Sequence, residues 1–168
     1  LVLNGDFSNG SANWSLSGWV IENGQASNSA SSAGNNLYQG NVTSVGKNFK
    51  VVIDTTISAG SVVVMLGGGS GGYNVIGEST TSGTFTYYGA SNGVDNRILL
   101  QTGIGSTIGS VSIDNVSVKE VGQDWILGTG WSIGKDKVVG DGTMASADTL
   151  TQNINFTDGV PYKFTFTV

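Results

Sequence analysis

Three tyrosines, Tyr38, Tyr73 and Tyr88, stand out of phase with the apolar positions around them. With Arg97 and Gln101, they are the side chains of this chain best suited to binding chemistry. A flat ring can lie against the apolar face of a pyranose, and planar guanidinium and amide groups can hold its hydroxyls in fixed directions. Tyr73 follows the run "GGGSGG", which would place it at a rim. Ordinary edge or surface placement is the competing account of the tyrosines. Catalytic residues are harder to find. The chain has no His and no Cys, which excludes a Ser-His-Asp triad and thiolate chemistry. Glycoside hydrolysis needs two carboxylates facing each other across a cleft. Glu22, Asp54, Glu78 and Asp95 are available, but nothing in the sequence pairs them, so no enzyme is expected. "LGGGSGG" lacks the Lys-Ser/Thr of a phosphate cradle and opens no helix, so it reads as a flexible hairpin or bulge. "NGS", "NWS", "NVT", "NVS" and "NFT" are glycosylation sequons of the kind chance supplies in a chain rich in Asn and Ser.

Composition excludes further classes. Charged residues are 11% of 168, well under the roughly 25% of an average domain, and the net charge is −5. Lys and Arg are scattered singly, so the electrostatic footprint of a nucleic-acid binder is missing. No apolar run approaches the roughly 18 residues of a membrane span, so no membrane insertion is expected. No signal peptide opens the chain, and the first residue is Leu1 rather than Met, as if the N-terminus had been processed or trimmed.

The elements that must position these side chains read as strands. With 27 Gly, 1 Pro and no sustained helical stripe, the chain is expected to be all-β with many tight turns. "FKVVIDTTI" puts Phe49, Val51, Ile53 and Ile57 on one face. "GTFTYYG" puts Phe85 and Tyr87 opposite Tyr88, and "RILLQ" puts Ile98 and Leu100 opposite Arg97, Leu99 and Gln101. "SVVVML" is apolar on both faces, as a central strand covered from both sides would be. Short strands at regular spacing predict a β-sandwich or jelly roll. Its core should contain Phe7, Trp14, Phe49, Val51, Ile53, Val62, Val64, Phe85, Ile98, Leu100 and Ile113. Trp14 and Trp19 are also read as core, because both recur later as Trp125 and Trp131.

In "VSIDNVSVKEV", Val111 and Ile113 alternate with one phase, Val116 and Val118 with the other. One extra residue near Asp114-Asn115, a β-bulge, reconciles them; a second apolar surface is the alternative. The strand closes a first unit, residues 1–121. Beyond it the pattern starts again. "LYQGNVTSVGKNFKVVIDTT" matches "LTQNINFTDGVPYKFTFTV" without a gap at an offset of 113, and "NWSLSGWVI" resembles "DWILGTGWSI". Tyr162, Phe164, Phe166 and Val168 repeat the face of Phe49, Val51, Ile53 and Thr55. Residues 122–168 are therefore expected to be an incomplete second copy, which cannot cover its own apolar faces and edges. The chain then reads as a piece of a longer protein, with completion by a neighbouring subunit as the alternative.

"LVLNGDFSNGSANWSLSGW" and "GSVSIDNVSVKEV" resemble the borders of CenC-type carbohydrate-binding modules, which are galactose-binding-like jelly rolls. The wording is most similar to the tandem β-modules of bacteriophage tail fibres and other virion-surface proteins. The resemblance implies a non-catalytic module at the virion surface or outside the cell. It would have structural and host-adhesion roles, bind a cell-surface glycan or polysaccharide, and belong to a homo-oligomer or larger assembly. A carbohydrate-binding module of a secreted bacterial polysaccharide-degrading enzyme, or a subunit of a strand-donating extracellular filament, are the alternatives. Relatives often hold one structural calcium ion at the "IDN"-like segment. The matching residue is Asp114, with Asp6 of "NGDF" as a nearby candidate, although Asn115 stands where many relatives have a second acid. The competing role for Asp114 is to cap the bulge through backbone N–H groups.

Overall fold

The computed structural model describes residues 1–29, 34–102, 110–134 and 137–167. Fourteen strands are found there and no helix. In chain order they are β1 (Ser15–Ser17), β2 (Val20–Glu22), β3 (Gln25–Asn28), β4 (Asn36–Gln39), β5 (Asn48–Ile57), β6 (Val62–Gly67) and β7 (Tyr73–Ser79). They continue with β8 (Gly83–Ala90), β9 (Arg97–Thr102), β10 (Val111–Val121), β11 (Trp125–Leu127), β12 (Trp131–Gly134), β13 (Lys137–Gly140) and β14 (Leu150–Gln152). The first ten form two antiparallel five-stranded sheets, ordered β1-β4-β9-β6-β7 and β2-β3-β10-β5-β8. Together they make the jelly-roll sandwich.

Alternation explains the packing. Along β5, Phe49, Val51 and Ile53 are at most 1% exposed, while Lys50, Val52 and Asp54 are only partly covered. From the facing sheet, Leu37, Val62, Val64, Leu66, Ile98 and Leu100 complete the core. All eleven core residues expected from the pattern lie in or against it, with Phe85 half-buried at its margin. Trp14 and Trp19 are buried too; their indole N–H groups donate to the Asn4 and Asn35 carbonyls. A buried indole needs such a partner, or its desolvation would be uncompensated.

The phase change in β10 is a bulge. Asp114 pairs with Asp54, but the next aligned pair is Ser117 with Val52, so β10 carries one extra residue. Asn115 at the bulge takes a left-handed φ of 50°, which Asn tolerates better than most residues. Both apolar pairs of the strand thereby face the same core. At the bulge Val116 N–H donates to the Gly5 carbonyl at 2.8 Å, and a Cβ on Gly5 would lie 2.0 Å from the Val116 oxygen. The two border motifs therefore meet in space.

"GGGSGG" joins β6 to β7, but it is not a free hairpin. Gly67 forms a bridge with Asn92, and Gly68 N–H donates to the Asn92 and Gly72 carbonyls. Asp95 N–H donates back to the Gly68 carbonyl at 3.1 Å. A Cβ on Gly67, Gly69 or Gly71 would lie within 3 Å of Asn92, Asp95 or Gly93, so these three glycines are packed against that loop.

Residues 122–167 contain two small sheets, β11-β14 and β12-β13. After β14 no strand is found among the described residues, and Ile154, Phe156, Tyr162, Phe164 and Phe166 are exposed. Val168, expected to continue that face, lies outside the described residues.

Candidate glycan-binding face

The outward side of sheet β1-β4-β9-β6-β7 carries four of the five candidate ligand-binding residues. Registers set their order. Tyr38 lies opposite Leu99, and Leu99 opposite Met65, which lies opposite Val75. One step along, Asn36 lies opposite Gln101, then Val63 and Glu78. Val63, Met65 and Leu99 form a second apolar cluster with Tyr38 packed against it. This explains why β6 is apolar on both faces: Val62, Val64 and Leu66 fill the core, while Val63 and Met65 form part of the outer floor.

Polar groups are fixed around that floor. The Arg97 guanidinium lies 4.8 Å from the centre of the Tyr38 ring, within cation–π range. It donates to the Tyr73 hydroxyl at 3.2 Å and pairs with Asp95 at 3.0 Å. The hydrogen bond to Tyr73 is the main cause of a guanidinium pKa raised above its ordinary value, and the nearby Tyr73 and Asp95 add to it, so Arg97 is charged throughout. The Gln101 side-chain amide donates to Asn36 Oδ1 at 2.7 Å. An aromatic ring, a tethered guanidinium and a paired amide thus line one surface. Their chemistry suits a ring with one apolar face and hydroxyls at its edge.

Tyr88 is not part of this face. It projects from β8 in the other sheet, where Lys50 Nζ lies 5.7 Å from its ring centre. There it lines a cleft with Val121 of β10 and with Trp125, Ile133 and Val138 of the following segment. Asn36 was not anticipated from the sequence, and Asp95 was weighed there only as a hydrolytic carboxylate, not as the partner of Arg97. Asp95 had a local signal, two residues before Arg97, whereas the Asn36–Gln101 pair spans 65 positions and had none.

The carboxylates named for calcium make local bonds. Asp6 Oδ1 accepts from the Ser8 amide at 3.3 Å and the Ser8 hydroxyl at 3.0 Å, and these bonds hold its carboxyl below the usual value. Asp114 Oδ1 accepts the Asn115 N–H at 2.7 Å, and Asn115 Nδ2 donates to Asp54 at 2.9 Å. An acid at 115 would instead set like charge against Asp54. Among the described residues no group of three or more acidic side chains is placed to hold a metal. Asp54 also accepts from Thr84 and lies opposite Asp114 across the β5–β10 pair, while Asp95 is engaged by Arg97.

No protein-family model matches the chain, and no curated protein matches it. Solved structures do. A family 16 carbohydrate-binding module, "Module-2", superposes with a TM-score of 0.52 at 15% identity, over 71% of this chain and 99% of that one. The fold is that of a carbohydrate-binding-module sandwich. The family 29 module CBM29_1 from Piromyces equi gives 0.49 at 13% identity, over 66% of this chain and 82% of that one. The enzymatically active domain of tailspike protein 4 of bacteriophage CBA120 gives 0.48 at 16% identity, over 71% of this chain and 21% of that one.

Proposed function

We propose that residues 1–121 are a non-catalytic glycan-binding module whose contact surface is the outer face of sheet β1-β4-β9-β6-β7. The observation that carries this is the Tyr38–Arg97–Tyr73 cluster, with its 4.8 Å and 3.2 Å contacts, beside the Asn36–Gln101 pair. Likeness to a fold whose solved example is named for carbohydrate binding supports it. Within that reading the module serves at a virion surface or outside the cell, in adhesion to a cell-surface polysaccharide; the sequence likeness to tandem tail-fibre modules supports the virion setting.

A panel of soluble polysaccharides tested by affinity electrophoresis should identify at least one that retards the chain. Tyr38→Ala and Arg97→Ala should each weaken that binding about tenfold or more, equivalent to about 1.4 kcal/mol. Tyr88→Ala should leave it unchanged, because Tyr88 belongs to the other sheet. Equal losses for all three, or retention of full affinity by the first two, would remove the face from consideration. Reducing-sugar assays on the same panel should show no turnover, and turnover abolished by a single Asp→Asn change would overturn the non-catalytic reading.

Calcium is tested separately. Since Asp6 and Asp114 serve their own turns, thermal midpoints in EDTA and in millimolar calcium should coincide. A rise in midpoint with calcium would show that the pair also binds a cation, since a ligand specific to the native state stabilises it.

A further inference from the structure

The small sheets after residue 121 reproduce the opening of the first unit pair by pair. In β1-β4, Ser15 faces Tyr38 and Leu16 faces Leu37; in β11-β14, Ile126 faces Thr151 and Leu127 faces Leu150. The shifts are the 111 and 113 residues of the sequence repeat. In β2-β3, Val20, Ile21 and Glu22 face Ser27, Ala26 and Gln25. In β12-β13, Ser132, Ile133 and Gly134 face Val139, Val138 and Lys137, every one displaced by 112. Trp19 Nε1 donates to the Asn35 carbonyl at 3.1 Å, and Trp131 Nε1 to that of Asp148 at 3.2 Å.

This correspondence says what is unpartnered. β4 lies between β1 and β9, whereas β14 has β11 alone. β5 lies between β10 and β8, whereas its counterpart, residues 161–167, pairs with no strand among the described residues. Phe49, Val51 and Ile53 are at most 1% exposed; Tyr162, Phe164 and Phe166 are 46%, 69% and 82% exposed. A contiguous aromatic surface of this kind marks a place where something docks.

We propose that residues 150–167 are a docking surface for antiparallel strands of the same module type. One β9-like strand would pair with β14, and β10-like and β8-like strands would flank residues 161–167, all three from outside residues 1–168. The partner's chemistry follows from volume. Phe164 and Phe166 stand where Val51 and Ile53 are, and interiors are filled to near-crystal density. In the first unit Val51 faces Tyr87 and Ile53 faces Phe85. The incoming β8-like strand must therefore carry smaller apolar residues at those two positions, or the core is overpacked.

The test supplies the strands directly. Val168 corresponds to Thr55, so residues 56–121 are fused after Val168 as the probe, with and without F164V/F166I. Hydrogen exchange of amides 161–167 should slow on the order of 100-fold in the fusion carrying F164V/F166I, as for a strand inside a sheet. It should slow less without those changes. Unchanged exchange in both fusions would overturn the proposal. The unfused chain gives an independent reading. F164S/F166S should reduce its light scattering and leave the midpoint of the first unit unchanged. A lowered midpoint would show that the face already packs on the first unit, and concentration-dependent protection of amides 161–167 would assign it to a second copy; either result overturns the proposal.

Discussion

Gly67→Ala is expected to destabilise the first unit by roughly 2–6 kcal/mol and to abolish polysaccharide retention, because two penalties add. Gly67 has a φ of 105°, where a side chain strains the backbone, and its Cβ would lie 1.4 Å from the Asn92 carbonyl oxygen. Neither backbone can yield locally. Gly68 N–H bonds the Asn92 and Gly72 carbonyls, Val94 N–H bonds Ser70, and Asp95 N–H bonds Gly68. Separating the two loops moves Asp95, whose carboxylate holds Arg97, and moves the entry to Tyr73. The scaffold and the binding face are therefore damaged by one methyl group. Gly72→Ala is the control: its φ is 71° but nothing lies within 4 Å of a Cβ, so it should cost only about 1 kcal/mol of strain. Urea titration followed by tryptophan fluorescence measures both. A Gly67→Ala protein with the parental midpoint would show that the interlock is not what holds the loops.

The second large effect contrasts equivalent positions of the two units. Phe49→Ala should cost about 3–5 kcal/mol, a sizeable part of the roughly 5–15 kcal/mol that holds a typical domain together. Phe49 is 1% exposed inside the sandwich, and removing its ring leaves a cavity that strands paired on both sides of β5 cannot close. Tyr162→Ala, at the matching position, should cost under about 1 kcal/mol. Tyr162 is 46% exposed; it has an edge-on contact with Phe156, and its hydroxyl accepts the Thr157 N–H, the bond that does most to lower its pKa. The same denaturation experiment compares them. Equal costs would mean that the second segment is already as well packed as the first.

The inward residues of each strand were readable in advance because strand side chains alternate with a period of two, so Phe49, Val51 and Ile53 could only share a face. The bulge was readable for the same reason: Val111/Ile113 and Val116/Val118 cannot both face inward without an extra residue. "GGGSGG" was read as flexible because glycine permits many conformations; that it is instead packed against residues 91–95 depended on a contact across the fold.

Local periodicity alone specifies an all-β chain, the core positions, the phase change in β10 and the repeat of the chain's opening. It also nominated Tyr38, Tyr73, Arg97 and Gln101 as outward-facing. Which of them share a surface follows from the strand pairings of the folded chain. Alternation states that a side chain points away from the core, but a sandwich has two outer faces, and sheet membership is set by pairings between distant strands. Tyr88 has the same outward phase as Tyr38, yet β8 joins β5 while β4 joins β9, which puts the two rings on different sheets. Arg97 reaches the Tyr38 ring because Leu99, two residues along β9 on the same face, is registered opposite Tyr38. That register is held by backbone hydrogen bonds between β4 and β9 and by burial of Leu37, Ile98 and Leu100, which no single stretch of the chain contains.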